Sequence, residues 1–285
     1  MHNKYNPTSK IELNQTIDIS EKLCDAMLNL IVNLKSPVEN YVDTLLVSMI
    51  NVIKKTKAIL KLVSLGYENE AFILWRSLHE EECILFVLNK YGEVAANAFE
   101  NHESCMVLNY ENLEVNDLIS KEMATKLKSD ILIMEEKLIN EMSRFSVKNR
   151  KGFIDYGWLL SIDDFNSKFQ KKEVSLSFTG GLQKFAEQNH TNQEFSYSSK
   201  YIHSTYHAQK NKKNRDLLNL VLIDAMNSLK NVQSIFNAFI VKHKLIERNH
   251  DYTFDKQMDE ILGEFKNELF NLIAEISIKM KTTER

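Results

Sequence analysis

The sequence predicts an all-α fold, a bundle of about seven to nine helices with one irregular segment near residues 148–181. Three observations carry that expectation. Glycine and proline are scarce, 7 and 2 among 285 residues, so together they make up about 3% where average usage gives roughly 12%. Folds rich in β-structure need a turn every few residues and recruit such residues for it, whereas long helices need little punctuation. Apolar residues recur at steps of three and four over stretches too long for strands. Pro37, Gly66 and Gly92 also fall between these stretches, and four more glycines gather in one irregular segment.

Taken in order, Thr8-Ser9 cap a first helix that runs to about residue 35 on Ile11, Ile17, Leu23, Met27 and Leu30. Pro37 opens a second, since its fixed φ suits a first helical position, and Gly66 stops it. A third, from Glu68 to Tyr91, is apolar on nearly every side and therefore central, and Gly92 ends it. A fourth carries Ala95, Ala98 and Phe99. A fifth, from about Asn116 to Phe145, spaces Met123, Leu127, Ile131, Met134 and Leu138 for long antiparallel packing. From Lys148 to Gly181 the periodicity breaks, and four of the seven glycines gather there. Any pocket cover or partner-binding loop is expected in this segment. Helical pattern resumes over Leu182–Gln188, Glu194–Gln209 and a long apolar Leu217–Leu245, and an amphipathic helix closes the chain. One helical domain over 1–285 follows, with a core of about 58–248 and flanking helices at 8–35 and 254–281.

Thirty-six basic and 39 acidic residues leave a net charge of −3, so no global field draws the chain to nucleic acid or an anionic membrane. Three distant cysteines without C-x-x-C spacing fit reduced thiols, and no apolar run is long enough for a membrane span. A soluble, cytoplasmic protein without a membrane partner is expected.

Two constellations can carry chemistry. On the third helix Arg76, His79 and Glu80 interrupt an apolar surface, with Arg76–Glu80 and His79–Cys83 each four apart. One reading is a structural ion pair that fixes helix register. The other is an anion-binding or catalytic arginine, since six Arg among 36 basic residues make this one a choice of planar contact over simple charge. The second constellation, 195–207, places Ser199, His203, Tyr206 and His207 on one helical face, where a histidine beside hydroxyls can act as a general base. A half-buried polar helix is the plainer alternative. The His203/His207 spacing suits a metal, yet no carboxylate accompanies it, so no metal or cofactor is expected. The E-x-x-H strings ending at His190 and His250 sit at expected helix ends and do not make a di-metal site. Lys210 to Arg215 and Lys148–Lys151 are basic clusters, each either a solvated turn or a phosphate contact through residues such as Lys212 and Lys213. Phosphate loops, zinc motifs, nucleophile elbows and kinase signatures are absent from the sequence.

The run from Gly66 to Glu80, with Arg76-Ser77-Leu78-His79-Glu80 at its centre and the Tyr197–His203 segment downstream, resembles an uncharacterised bacterial all-helical family. The likeness spans about Ala58 to His207. Such proteins are similar to the broad HEPN group of helical bundles, whose members include toxin and phage-defence ribonucleases as well as nucleotide-binding and structural domains. The resemblance implies a bundle able to form a homodimer. It does not carry the group's catalytic spacing, an Arg followed after four to six residues by His, because Arg76–His79 and Arg248–His250 are both too short. The first expectation for function is a HEPN-like effector acting on RNA or a nucleotide, in phage defence or as a toxin. In it Arg76 binds phosphate, Glu80 orients Arg76, and His203 or His207 does acid–base work. Tyr197, Ser199, Tyr206, His79, Lys212 and Lys213 then supply contacts. The alternative is a helical ligand- or protein-binding module without turnover.

Overall fold

The computed structural model describes residues 24, 25, 28, 40–106, 121–188 and 215–242. Among them there are eight α-helices, one 3₁₀ turn, one π turn and no strand, an all-α architecture. The longest are α1 (Asn40–Ser64), α2 (Glu68–Tyr91), α4 (Lys121–Arg144) and α8 (Arg215–Lys242), with α3 (Glu93–Met106) between α2 and α4. Three shorter pieces follow α4, namely α5 (Arg150–Tyr156), α6 (Asp163–Gln170) and α7 (Gln183–Phe185). The 3₁₀ turn (Gly157–Ser161) follows α5 and the π turn (Phe178–Leu182) precedes α7.

The helix stops show how so little glycine suffices. α1 ends with Gly66 at φ 83°, its N–H reaching Val63 O at 3.0 Å while Tyr67 N reaches Leu62 O at 2.8 Å. This paired closure satisfies the last carbonyls of a helix and needs one left-handed residue, for which glycine is favoured. The same closure recurs at the ends of α4, α6 and α7, but the left-handed residues there are Ser146, Lys172 and Glu187, at φ 56°, 60° and 63°.

The chain divides into two compact units whose boundaries fall inside α1 and α2. One comprises Met1–Lys35, Leu46–Glu82 and Thr191–Arg285; the other comprises Ser36–Leu45 and Cys83–His190. In the first, the core is made of long-helix stripes: Met49, Val52, Ile53, Ile59 and Leu60 of α1, Phe72, Trp75 and Leu78 of α2, and Ala225, Leu229 and Val232 of α8. These recur at three and four residues, as an apolar helix face requires.

In the second unit the short pieces pack backbone against backbone. A Cβ on Gly181 would lie 2.1 Å from Ser175 O, one on Gly152 2.3 Å from Leu176 O, and one on Gly157 2.7 Å from the His102 ring. The irregular segment is therefore a tightly folded series of short helical turns, and its glycines serve close approach. Phe99 of α3 meets Trp158 edge-on at 5.1 Å, and Phe165 meets Phe185 likewise at 5.0 Å. Asn149 caps α5 by accepting from Gly152 N, and Arg150 grips Glu135 of α4 with two parallel hydrogen bonds of 2.5 and 2.8 Å. Of the basic group Lys148–Lys151, the arginine is thus a clamp between helices.

None of the three cysteines forms a disulfide; Cys24, Cys83 and Cys105 are all buried. No described helix is long and apolar enough to cross a membrane.

Candidate functional site

α2 carries an unusual run, His79-Glu80-Glu81-Glu82, in the middle of a buried helix. Successive residues turn by about 100°, so the three carboxylates fan around the axis instead of crowding one face. Each buried charge then needs its own partner. Glu81 faces α1: Lys55 Nζ donates to it at 2.9 Å, Ser48 Oγ at 3.3 Å and Asn51 Nδ2 at 3.5 Å. Lys55 also donates to Ser77 O at 3.3 Å, which fastens α1 to the turn before Glu81. Glu82 faces α8, where Asn231 Nδ2 donates to its Oε1 at 2.7 Å.

His79 completes this band from within. Its ring lies parallel to Trp75, 5.6 Å between centroids, and its Nδ1 stands 4.0 Å from Glu82 Oε2, beyond hydrogen-bond length. Both residues are sealed, Trp75 at 1% and His79 at 3% exposure. The ring stacks on the residue one turn before it and faces the carboxylate three residues on. His79 is therefore a buried helix residue packed ring on ring against Trp75.

Arg76 and Glu80 lie one turn apart on α2, and both are half-buried. They retain solvent reach that His79 and Glu82 lack. The residues expected to meet them from the downstream constellation, Tyr197, Ser199, His203, Tyr206 and His207, together with Lys212 and Lys213, lie outside the described residues.

His102, of α3, is the other described histidine. Its Nε2 donates to Phe153 O at 2.8 Å and Ile154 O at 3.1 Å, which places the ring hydrogen on Nε2. Burial holds its pKa below the ordinary value, so the ring is kept neutral. It ties α3 to the end of α5, where the carbonyls of a seven-residue helix need donors. Both described histidines are buried.

Sequence reasoning did not find the polar cluster at the other end of α2. Tyr91 Oη donates to Asp164 Oδ2 at 2.6 Å, Lys168 Nζ donates to the same oxygen at 3.3 Å, and Lys90 pairs with Glu187 at 2.6 Å. Burial, then the Asp164 carboxylate, raises the Tyr91 pKa, while the tyrosine hydrogen bond is the main cause lowering that of Asp164. The signal available was Asp163-Asp164 at a helix start and Lys168 one turn on, which gives α6 but not its contact with Tyr91, 73 residues earlier. Among the described residues no group of three or more His, Cys, Asp or Glu is gathered to hold a metal.

Neither a curated protein nor a solved structure matches the chain. A family model does, over residues 43–216, which takes in α1 from its first turn, the whole of α2 to α7 and the Tyr/His constellation. The chain belongs to that family, DUF5677, a family of unknown function.

Proposed function

We propose that this chain is a HEPN-like effector that recognises RNA or a nucleotide through Arg76. The observation that carries the reading is a half-buried arginine on α2, one turn from a half-buried carboxylate. A guanidinium matches two phosphate oxygens with a rigid pair of donors, and Glu80 four residues on is spaced to orient it. With His79 and His102 committed to packing, acid–base work falls to His203 or His207, with Tyr197 and Tyr206 as hydroxyl contacts. On RNA such a pair needs no metal. A histidine takes the 2′-hydroxyl proton as that oxygen attacks phosphorus, the bond to the 5′-oxygen breaks, a proton goes to that leaving oxygen, and Arg76 stabilises the charge that develops between. A cytoplasmic homodimer acting in phage defence or as a toxin is the setting this reading carries; light scattering of the purified chain tests the dimer. Cleavage of labelled RNA is expected to fall at least about a hundredfold in an Arg76→Ala, His203→Ala double variant. Cleavage at the wild-type rate overturns the proposal.

A second reading, a helical binding module without turnover, is supported by the Glu82–Asn231 and Glu81–Lys55 contacts, which commit the buried acids of α2 to helix register. It predicts thermal stabilisation by a ligand or partner with no RNA product at any enzyme concentration.

A further inference from the structure

The second unit holds a pocket of about 370 Å³ lined by Lys168, Lys172, Glu173, Val174, Lys184 and Phe185. Three of its six lining residues are lysines, against one carboxylate. Val174 and Phe185, both buried, give it an apolar side. Two of the ammonium groups are held in place. Lys184 Nζ donates to Glu173 O at 2.6 Å, and Lys168 sits 3.3 Å from Asp164 Oδ2 and 5.3 Å from the Phe185 ring centre. The Asp164 carboxylate that faces Lys168 also accepts from the Tyr91 hydroxyl.

Lys172 enters none of these contacts, and it shares a left-handed backbone with Ser146 and Glu187, neither of which lines the pocket. It is the left-handed residue of the closure that ends α6, with its N–H on Phe169 O at 2.9 Å and Glu173 N on Lys168 O at 2.9 Å. Glycine is the favoured residue at that position because a Cβ is strained at φ 60°. Local folding therefore argues against lysine here. The structure places its exposed side chain beside two further lysines around one cavity.

We infer that this pocket binds the phosphate-monoester group of a small phosphorylated molecule, with the organic part against Val174 and Phe185. A bare ion would leave most of the volume empty, since ligand pockets of roughly 300–1,000 Å³ take molecules of nucleotide size. A phosphate monoester is a dianion at neutral pH with oxygens enough for three ammonium donors, where a carboxylate offers one charge and two oxygens. The site belongs to the second unit alone and is independent of the Arg76 chemistry.

Calorimetric titration of the full chain with AMP, inorganic phosphate and adenosine tests it. AMP is expected to bind, phosphate to bind more weakly, adenosine not at all, and added salt to weaken both anions. Lys172→Gly removes one ammonium and also relieves the strained backbone, so the fold is kept. It is expected to raise the melting temperature while cutting AMP affinity about fivefold. Lys168→Gln is expected to weaken AMP likewise, and Lys61→Gln, exposed on α1 and away from the pocket, to change nothing. No AMP binding by about 10 mM, a weaker limit than any useful site, overturns the inference. So does unchanged AMP affinity in Lys172→Gly, or adenosine binding as tightly as AMP. Phosphate binding as tightly as AMP overturns the role given to the apolar side.

Discussion

The two units solve the same problem, a chain with almost no glycine or proline, in opposite ways. In the first, long stretches of α1, α2 and α8 meet through side chains, and the acids of α2 are paired side chain to side chain: Glu81 with Lys55, Glu82 with Asn231. The second also holds α3 and α4, but between Arg150 and Phe185 its pieces of three to eight residues meet through backbone, with glycine at the points of closest approach and Ser146, Lys172 and Glu187 in left-handed turns. The lesson is that the first unit is sensitive to lost volume and lost partners, and the second to added volume.

Removing bulk tests the first half of that contrast most strongly. Trp75→Ala empties a sealed site against His79 and is expected to cost about 3–5 kcal/mol in denaturant unfolding, a large share of a domain's ordinary stability. The opposite change tests the other half. Gly181→Ala sets a methyl against the Ser175 carbonyl and is expected to cost about 1–3 kcal/mol, whereas Gly66→Ala meets open space and suffers only its positive φ. Equal losses at the two glycines would break the distinction between close approach and turn geometry. Asn231→Leu leaves Glu82 Oε1 without its donor, so a loss of about 1–3 kcal/mol is expected from a change that keeps volume nearly constant. A gain is expected at the left-handed positions: Ser146→Gly, far from the lysine pocket, should add about 1 kcal/mol.

A smaller effect follows from acid. His102 is buried with a pKa below its ordinary value of 6.5. The unfolded chain therefore takes up the proton first, so the stability tied to this residue is present above about pH 6.5 and is lost as pH falls through and below it. Melting temperatures between pH 7.5 and pH 5 check the sign; a rise on acidification would contradict the neutral ring.

These differences also explain what the sequence made legible. α2 is expected over Glu68–Tyr91 and is found there, because Gly66 and Gly92 both adopt positive φ at its flanks. α8, described over Arg215–Lys242, coincides with the expected Leu217–Leu245 as far as the described residues reach, because its apolar period is long. The break at 148–181 is visible, but its contents are not, for a helix of seven or eight residues makes too few turns to show a period. Nor does any feature of serine, lysine or glutamate announce a left-handed turn. At the site, the shared face of Arg76 and Glu80 follows from spacing alone. The partners of Glu81 and Glu82 lie 26 and 149 residues away along the chain, and no local pattern encodes such distances.

The central claim is that Arg76 contacts phosphate through its planar guanidinium. The most direct measurement is the affinity of a short single-stranded RNA for the wild-type chain and for Arg76→Lys, by fluorescence anisotropy at fixed salt. Lysine keeps the charge and loses the paired donors, so binding about tenfold weaker in a variant with unchanged unfolding is the predicted result. Full affinity in Arg76→Lys, or no RNA binding by either protein, would contradict it.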